Sequence, residues 1–184
     1  KGVSTYLRSG LFYKKGDIDL ADTIITLGNE RVYQYPQTVY KLYPTAIFNP
    51  VYRHTLSSKN NHKFLVFGAG GIISKGIDLL VEVFEKHSDW ILYICGGDVT
   101  SELAKLGYKI PSNIIDCGFV NVNSEKFCQL VRECTFSVLP SCSEGTSTST
   151  ITCMYHGLIP IISRECGLND FSNGCIFFED CSVK

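Results

Sequence analysis

From residue 64 onward, short apolar runs alternate with stretches of helical period. The runs are FLVFG (64–68), ILYIC (91–95), NIIDC (113–117), TFSVLP (135–140) and LIPIIS (158–163). Each is about one strand long and apolar along most of its length, as parallel strands buried on both faces should be. Between the first two, Ile77, Leu80, Val81 and Phe84 fall at i, i+3, i+4 and i+7. Phe127, Leu130, Val131 and Cys134 repeat that spacing before the fourth run, with Asn123 or Ser124 as the helix cap. The alternation predicts an α/β fold: a Rossmann-like, doubly wound parallel sheet with right-handed crossovers and helices on both faces.

Residues 1–53 follow a different pattern. A strand is expected over 22–28, after a helix over roughly 11–21. A segment rich in tyrosine follows (Tyr33, Tyr35, Tyr40, Tyr43), and Asn49-Pro50 reads as a break. One strand with its flanks cannot form a core. Residues 1–53 are therefore expected to be the end of another domain or an appendage, and 54–184 a truncated α/β domain.

Composition narrows the function classes. The 184 residues are 45% hydrophobic and 19% charged, an ordinary globular balance that excludes a disordered or collagen-like chain. No stretch approaches the roughly 20 apolar residues a membrane-spanning helix needs, so no transmembrane segment is expected. Seventeen Lys and Arg against eighteen Asp and Glu leave a net charge of -1, without the basic excess of a nucleic-acid binder. Nine cysteines, an odd number with no C-x-x-C pair, read as reduced and mostly buried thiols in a cytoplasmic protein. His54, His62 and His87 show no metal-ligand spacing, so no metal site is expected. The chain opens on Lys1 without a signal-peptide pattern, and Met154 is its only methionine. A piece of a longer polypeptide is the expectation.

Two strand ends carry candidate chemistry, since ligands of open α/β sheets lie beyond the carboxyl ends of the strands. After the first run, Gly68, Gly70 and Gly71 make a permissive loop and Lys75 stands at a helix start. Such a loop suits an anion, because glycines let backbone N–H groups come close and the lysine adds charge of the right sign. It is neither a Walker A loop nor a G-x-G-x-x-G fingerprint. A surface lysine in a flexible loop fits the sequence there equally well. After the fourth run, Glu144 and Gly145 precede Thr146, Ser147, Thr148, Ser149 and Thr150, which open a helix closing at Gly157. Hydroxyls and N–H groups at a helix start suit a phosphate, and the carboxylate suits sugar hydroxyls. Plain helix capping beside a solvated glutamate is the commoner use of such residues. His156 reads as a packing residue near the helix end. No nucleophile–base pair can be assigned.

Together the two strand ends resemble the retaining GT-B glycosyltransferases of family 4 (group 1). KGIDLL (75–80) looks like that family's KG(V/I)DLLL signature. LPSCSEG (139–145) with Gly157 and LIPIIS looks like its PS.xEG block, and GFV (118–120) matches the element between them. The resemblance covers roughly 60–170, the donor-binding half of a two-domain enzyme, while ADTIITLGN and IFNPV in 21–53 look like the end of the acceptor-side domain. It implies transfer of a sugar, of hexosyl type, from a nucleotide diphosphate sugar to a glycan or lipid-linked acceptor, with retention. No cofactor is implied beyond the donor substrate. Polysaccharide biosynthesis is the implied setting, with peripheral membrane attachment possible through the absent domain. The fragment alone is expected to be inactive.

Carried over residue by residue, Lys75 matches the lysine that neutralises the donor pyrophosphate. Glu144 matches the glutamate that contacts the donor sugar, and the backbone of Gly145–Thr148 faces sugar and phosphate. Two positions depart from the pattern. Thr152 stands where a second glutamate holds the ribose hydroxyls, and Ala69 stands where an arginine adds charge near the pyrophosphate. These departures keep a non-catalytic nucleotide- or glycan-binding module open as an alternative, alongside an epimerase or hydrolase acting on nucleotide sugars.

Overall fold

The structure, a computed structural model, describes residues 20, 22–27, 37–50 and 60–179. The helix expected over 11–21, apart from Leu20, lies outside the described residues together with Tyr33, Tyr35, His54 and Cys181.

The long apolar run after residue 60 becomes the central strand. Strands are β1 (Thr23–Thr26), β2 (Thr38–Lys41), β3 (Asn60–Ala69), β4 (Ile91–Gly96), β5 (Ile114–Gly118), β6 (Cys134–Leu139), β7 (Ile159–Ile162) and β8 (Ile176–Phe177). Helices are α1 (Ile77–Lys86), α2 (Val99–Lys105), α3 (Glu125–Glu133) and α4 (Thr148–Tyr155). Six strands form one wholly parallel sheet in the order β5-β4-β3-β6-β7-β8. This is the doubly wound Rossmann order, in which the chain starts centrally, winds to one edge, and then returns to wind to the other. The strand order therefore reverses between β3 and β6.

Alternation along β3 shows why helices cover both faces. Phe64 and Val66 pack with Ile77, Leu80, Val81 and Phe84 of α1 and with Val99 and Leu103 of α2. Leu65, pointing the other way, packs with Phe127, Cys128, Leu130 and Val131 of α3 and Cys153 of α4. Each large side chain buried in this way contributes about 1.5–3 kcal/mol. The first expected helical stripe is present whole, and the second through Phe127, Leu130 and Val131. Ser124 caps α3 by accepting from Phe127 N at 3.2 Å, whereas Asn123 does not cap it. Cys134 falls outside α3 and opens β6, because the chain turns straight from helix to strand there.

The five expected strands are joined by a short sixth, β8, which pairs parallel with β7. A helix not expected from the sequence, α2, follows β4, with Asp98 capping it through Ser101 N at 3.0 Å. Near the N-terminus, the expected strand has a parallel partner, since β2 pairs with β1 from Thr23↔Thr38 to Thr26↔Lys41. Lys41 and Tyr43 both reach Asp170, and Asn49 Nδ2 donates to Val122 O at 2.5 Å. The eight described cysteines are free thiols; Cys95, Cys128, Cys134, Cys153 and Cys166 are buried and Cys142 is exposed. Burial pushes the Cys95 thiol far above its ordinary pKa. Among the described residues, no helix is long and apolar enough to cross a membrane.

Candidate functional site

The two strands that flank the reversal end in loops that lean on each other. At the end of β3 the register with β4 breaks between Phe67 and Ala69, around Gly68 at φ +80°. The next turn closes when Lys75 N donates to Gly71 O at 3.0 Å, and Gly71 also has φ +80°. Gly76 then caps α1 in a left-handed conformation (φ +67°) with its Cα against Pro140, where a β-carbon would lie under 3.0 Å from the Pro140 carbonyl. Lys75 is thereby set immediately before α1, facing the end of β6.

The loop after β6 is tied on both sides. Ser141 Oγ donates to Ser74 O at 2.8 Å and Cys142 N to the same carbonyl at 2.9 Å. Ser163 Oγ donates to Ser141 O, and Glu144 N donates to Glu165 O at 3.0 Å. Gly167, at φ +70°, admits the Gly145 carbonyl into the space a β-carbon would fill. Within this frame Lys75 Nζ and Glu144 Oε1 are in direct contact, although 69 residues separate them. Their side chains are 18% and 14% exposed. Burial draws the Lys75 ammonium below its ordinary pKa, with Cys166 working in the opposite sense. Ser141 Oγ lies 3.3 Å from the same Glu144 oxygen.

The other candidate residues divide. Gly68 packs on Ser149, where a β-carbon would come within 3.1 Å of Ser149 Cβ; nothing lies within 4 Å of the β-carbon position of Gly70. Ser147 caps α4, accepting from Thr150 N at 3.3 Å, and its own amide donates to Cys166 O at 3.3 Å. Thr146 Oγ1 donates to Leu27 O at 2.8 Å, which ties this loop to the end of β1. Thr148 opens the helix, and its carbonyl accepts from Thr152 Oγ1 at 2.8 Å. Thr152 is fully buried, and its hydroxyl also accepts from Ile47 N at 3.0 Å. The fold brings Lys75 and Glu144 together and turns the Thr152 side chain into the contact between α4 and the 42–49 segment.

A 390 Å³ cavity adjoins this frame, lined largely by Ile47, Phe67, Phe119, Val120 and Val122, and it reaches Gly68 and Ser149. Beside it, Asp116 accepts from Thr100 N at 2.9 Å, Thr100 Oγ1 at 2.8 Å and Gly118 N at 2.9 Å. Burial raises this carboxyl, but those hydrogen bonds prevail and hold its pKa below the ordinary value. Sequence reasoning missed Asp116, since a lone aspartate at a strand end carries no spacing signal. Among the described residues, no three His, Cys, Asp or Glu side chains gather as a metal cluster.

The family model for glycosyl transferases group 1 matches residues 61–182, most of the chain. The chain belongs to that family. Solved structures place this group 1 domain among GT-B glycosyltransferases by fold. TarM superposes with a TM-score of 0.64 at 17% identity, over 97% of this chain and 36% of TarM; a further structure of it is from S. aureus. WaaG, a glycosyltransferase involved in lipopolysaccharide biosynthesis, gives 0.60 at 14%, covering 85% of this chain and 48% of WaaG. The lipopolysaccharide outer core galactosyltransferase WaaB gives 0.59 at 18%, covering 93% and 49%. The group 1 chain thus spans between about a third and a half of the length of these neighbours. No curated protein matches it in sequence.

Proposed function

We propose that this group 1 domain holds the nucleoside diphosphate sugar donor of a retaining glycosyltransferase, transferring a hexosyl group to a glycan or lipid-linked acceptor. The observation that carries the reading is the meeting of Lys75 and Glu144 across the β3–β6 reversal. In that reading the Lys75 ammonium faces the diphosphate and stabilises the charge that grows on it as the glycosidic bond breaks. Glu144 faces the sugar. The adjoining apolar cavity, large enough for a nucleoside and joined to the frame by Gly68 and Ser149, receives the base. Structural neighbours support this donor class: a pneumococcal O-GlcNAc transferase was solved with UDP and GlcNAc, and a TarM mutant with UDP.

Thr152 takes a structural part here, joining α4 to the 42–49 segment, and the cavity walls hold the nucleoside by apolar contact. That engagement of Thr152 is the observation that favours a second reading, a binding module without transfer. We read the acceptor side as belonging to a separate domain, so the chain alone binds donor without turning it over.

Titration of the chain with nucleoside diphosphates and their sugar conjugates tests the proposal. Micromolar binding of at least one nucleoside diphosphate, weakened roughly ten- to hundredfold in Lys75→Met, is the expected result. Absence of binding across uridine, guanosine, adenosine and thymidine diphosphates contradicts it. Sugar transfer by the longer polypeptide that includes an acceptor domain then separates the transferase from the module.

A further inference from the structure

We propose that Glu144 latches the empty site by neutralising Lys75, so that an incoming diphosphate binds against the competition of the protein's own carboxylate. The inference rests on the reading of Lys75 as the cation that receives the diphosphate. Three observations carry it. First, the ammonium and the carboxylate touch, and both side chains are mostly shielded from water, where their mutual attraction is screened little. An anion approaching Lys75 therefore meets a pair with no net charge rather than a free cation.

Second, the backbone on both sides of the pair is fixed. The Lys75 amide is held by Gly71 O, the Glu144 amide by Glu165 O, and the Ser74 carbonyl by Ser141 and Cys142. Opening the pair is thus a side-chain rotation, small enough to accompany binding. Third, a replacement donor for the released carboxylate is already in place. A buried carboxylate that loses its partner is strongly destabilising unless another donor reaches it. Ser141 Oγ, with one proton to give, lies within hydrogen-bond distance of Ser74 O at 2.8 Å and of Glu144 Oε1 at 3.3 Å. The Cys142 amide also holds Ser74 O, so the Ser141 proton is free to settle on Glu144 when Lys75 turns to the diphosphate. Empty and loaded sites then each satisfy the carboxylate, and Glu144 sets the affinity without touching the diphosphate.

The test is calorimetric titration of inorganic pyrophosphate and of uridine diphosphate into the chain, as wild type, Glu144→Gln, Lys75→Met and the double variant. Removing the competing charge-assisted contact should tighten both ligands about tenfold in Glu144→Gln. In the Lys75→Met background the same change should alter affinity less than about twofold. Glu144→Ala must shift affinity in the same direction, so one poorly folded variant does not decide the matter. Equal or weaker binding in both Glu144 variants, with Lys75→Met still weakening it, overturns the latch and leaves the donor site standing. Affinity indifferent to Lys75→Met overturns the donor-site reading itself.

Discussion

Gly76 lies with its Cα against the carbonyl of Pro140, closer than any side chain would permit. This contact joins the turn that carries Lys75 to the loop that carries Glu144. Gly76→Ala adds a β-carbon under 3.0 Å from that oxygen and forces a left-handed φ on alanine. The expected loss is at least about 2 kcal/mol, combining backbone strain with overpacking. Urea denaturation of the variant measures it, and an unchanged midpoint would show that the two loops are not held by this approach.

Lys75→Met keeps the length and apolar stem of the side chain and removes its charge. Loss of a charge-assisted contact to a diphosphate costs about 1.5–3 kcal/mol, so nucleoside diphosphate affinity should fall roughly ten- to hundredfold. Thermal shift at a fixed nucleotide concentration reads the same effect, since stabilisation by a ligand follows its affinity.

Thr152→Val preserves shape and removes the acceptor for Ile47 N. A part-buried N–H left unsatisfied costs about 1–3 kcal/mol. Amide hydrogen exchange at Ile47 should accelerate in the variant, while diphosphate affinity changes less than about twofold. A large drop in nucleotide affinity would instead assign Thr152 to the ligand.

Lys63 and Glu133 give a pH-dependent contribution remote from the site. Lys63 Nζ lies 2.7 Å from Glu133 Oε2, and with Gln129 it holds that carboxyl below the ordinary glutamate value of 4.5. A carboxyl depressed in the folded state stabilises it fully above the unfolded pKa, and this contribution is lost as the pH falls through the folded pKa. Lys63→Met should therefore be less stable than wild type at pH 7, by at most about 1 kcal/mol for so exposed a pair. Denaturation at pH 7, 5, 4 and 3 should show the difference shrinking toward acid. A constant difference would mean that packing of the Lys63 stem, rather than the ion pair, is responsible.

The sheet was legible because parallel strands buried on both faces read as unbroken apolar runs, and β3, β4, β6 and β7 do so. Among the shorter or half-buried elements, β1 and β5 were legible while β2, α2 and β8 were not. In β2, Thr38–Lys41 alternates exposed and half-buried positions, and its partner strand lies across a segment with no hairpin signal. Helix α2 buries only Val99 and Leu103, too few to draw a stripe. β8 is two residues long. At the site, no periodicity links Lys75 with Glu144; each was singled out at its own strand end, a family resemblance supplied their roles, and strand order accounts for their meeting. The partner of Thr152 was beyond reach for another reason. Ile47 offers a backbone N–H, which leaves no mark on side-chain pattern, from 105 residues away.

The most direct measurement is a crystal structure of the chain with a nucleoside diphosphate bound. The diphosphate is expected between the carboxyl ends of β3 and β6, within hydrogen-bond distance of Lys75 Nζ, and the base in the cavity lined by Phe67, Phe119 and Val122. A diphosphate bound elsewhere, with no contact to Lys75, would contradict the proposed site.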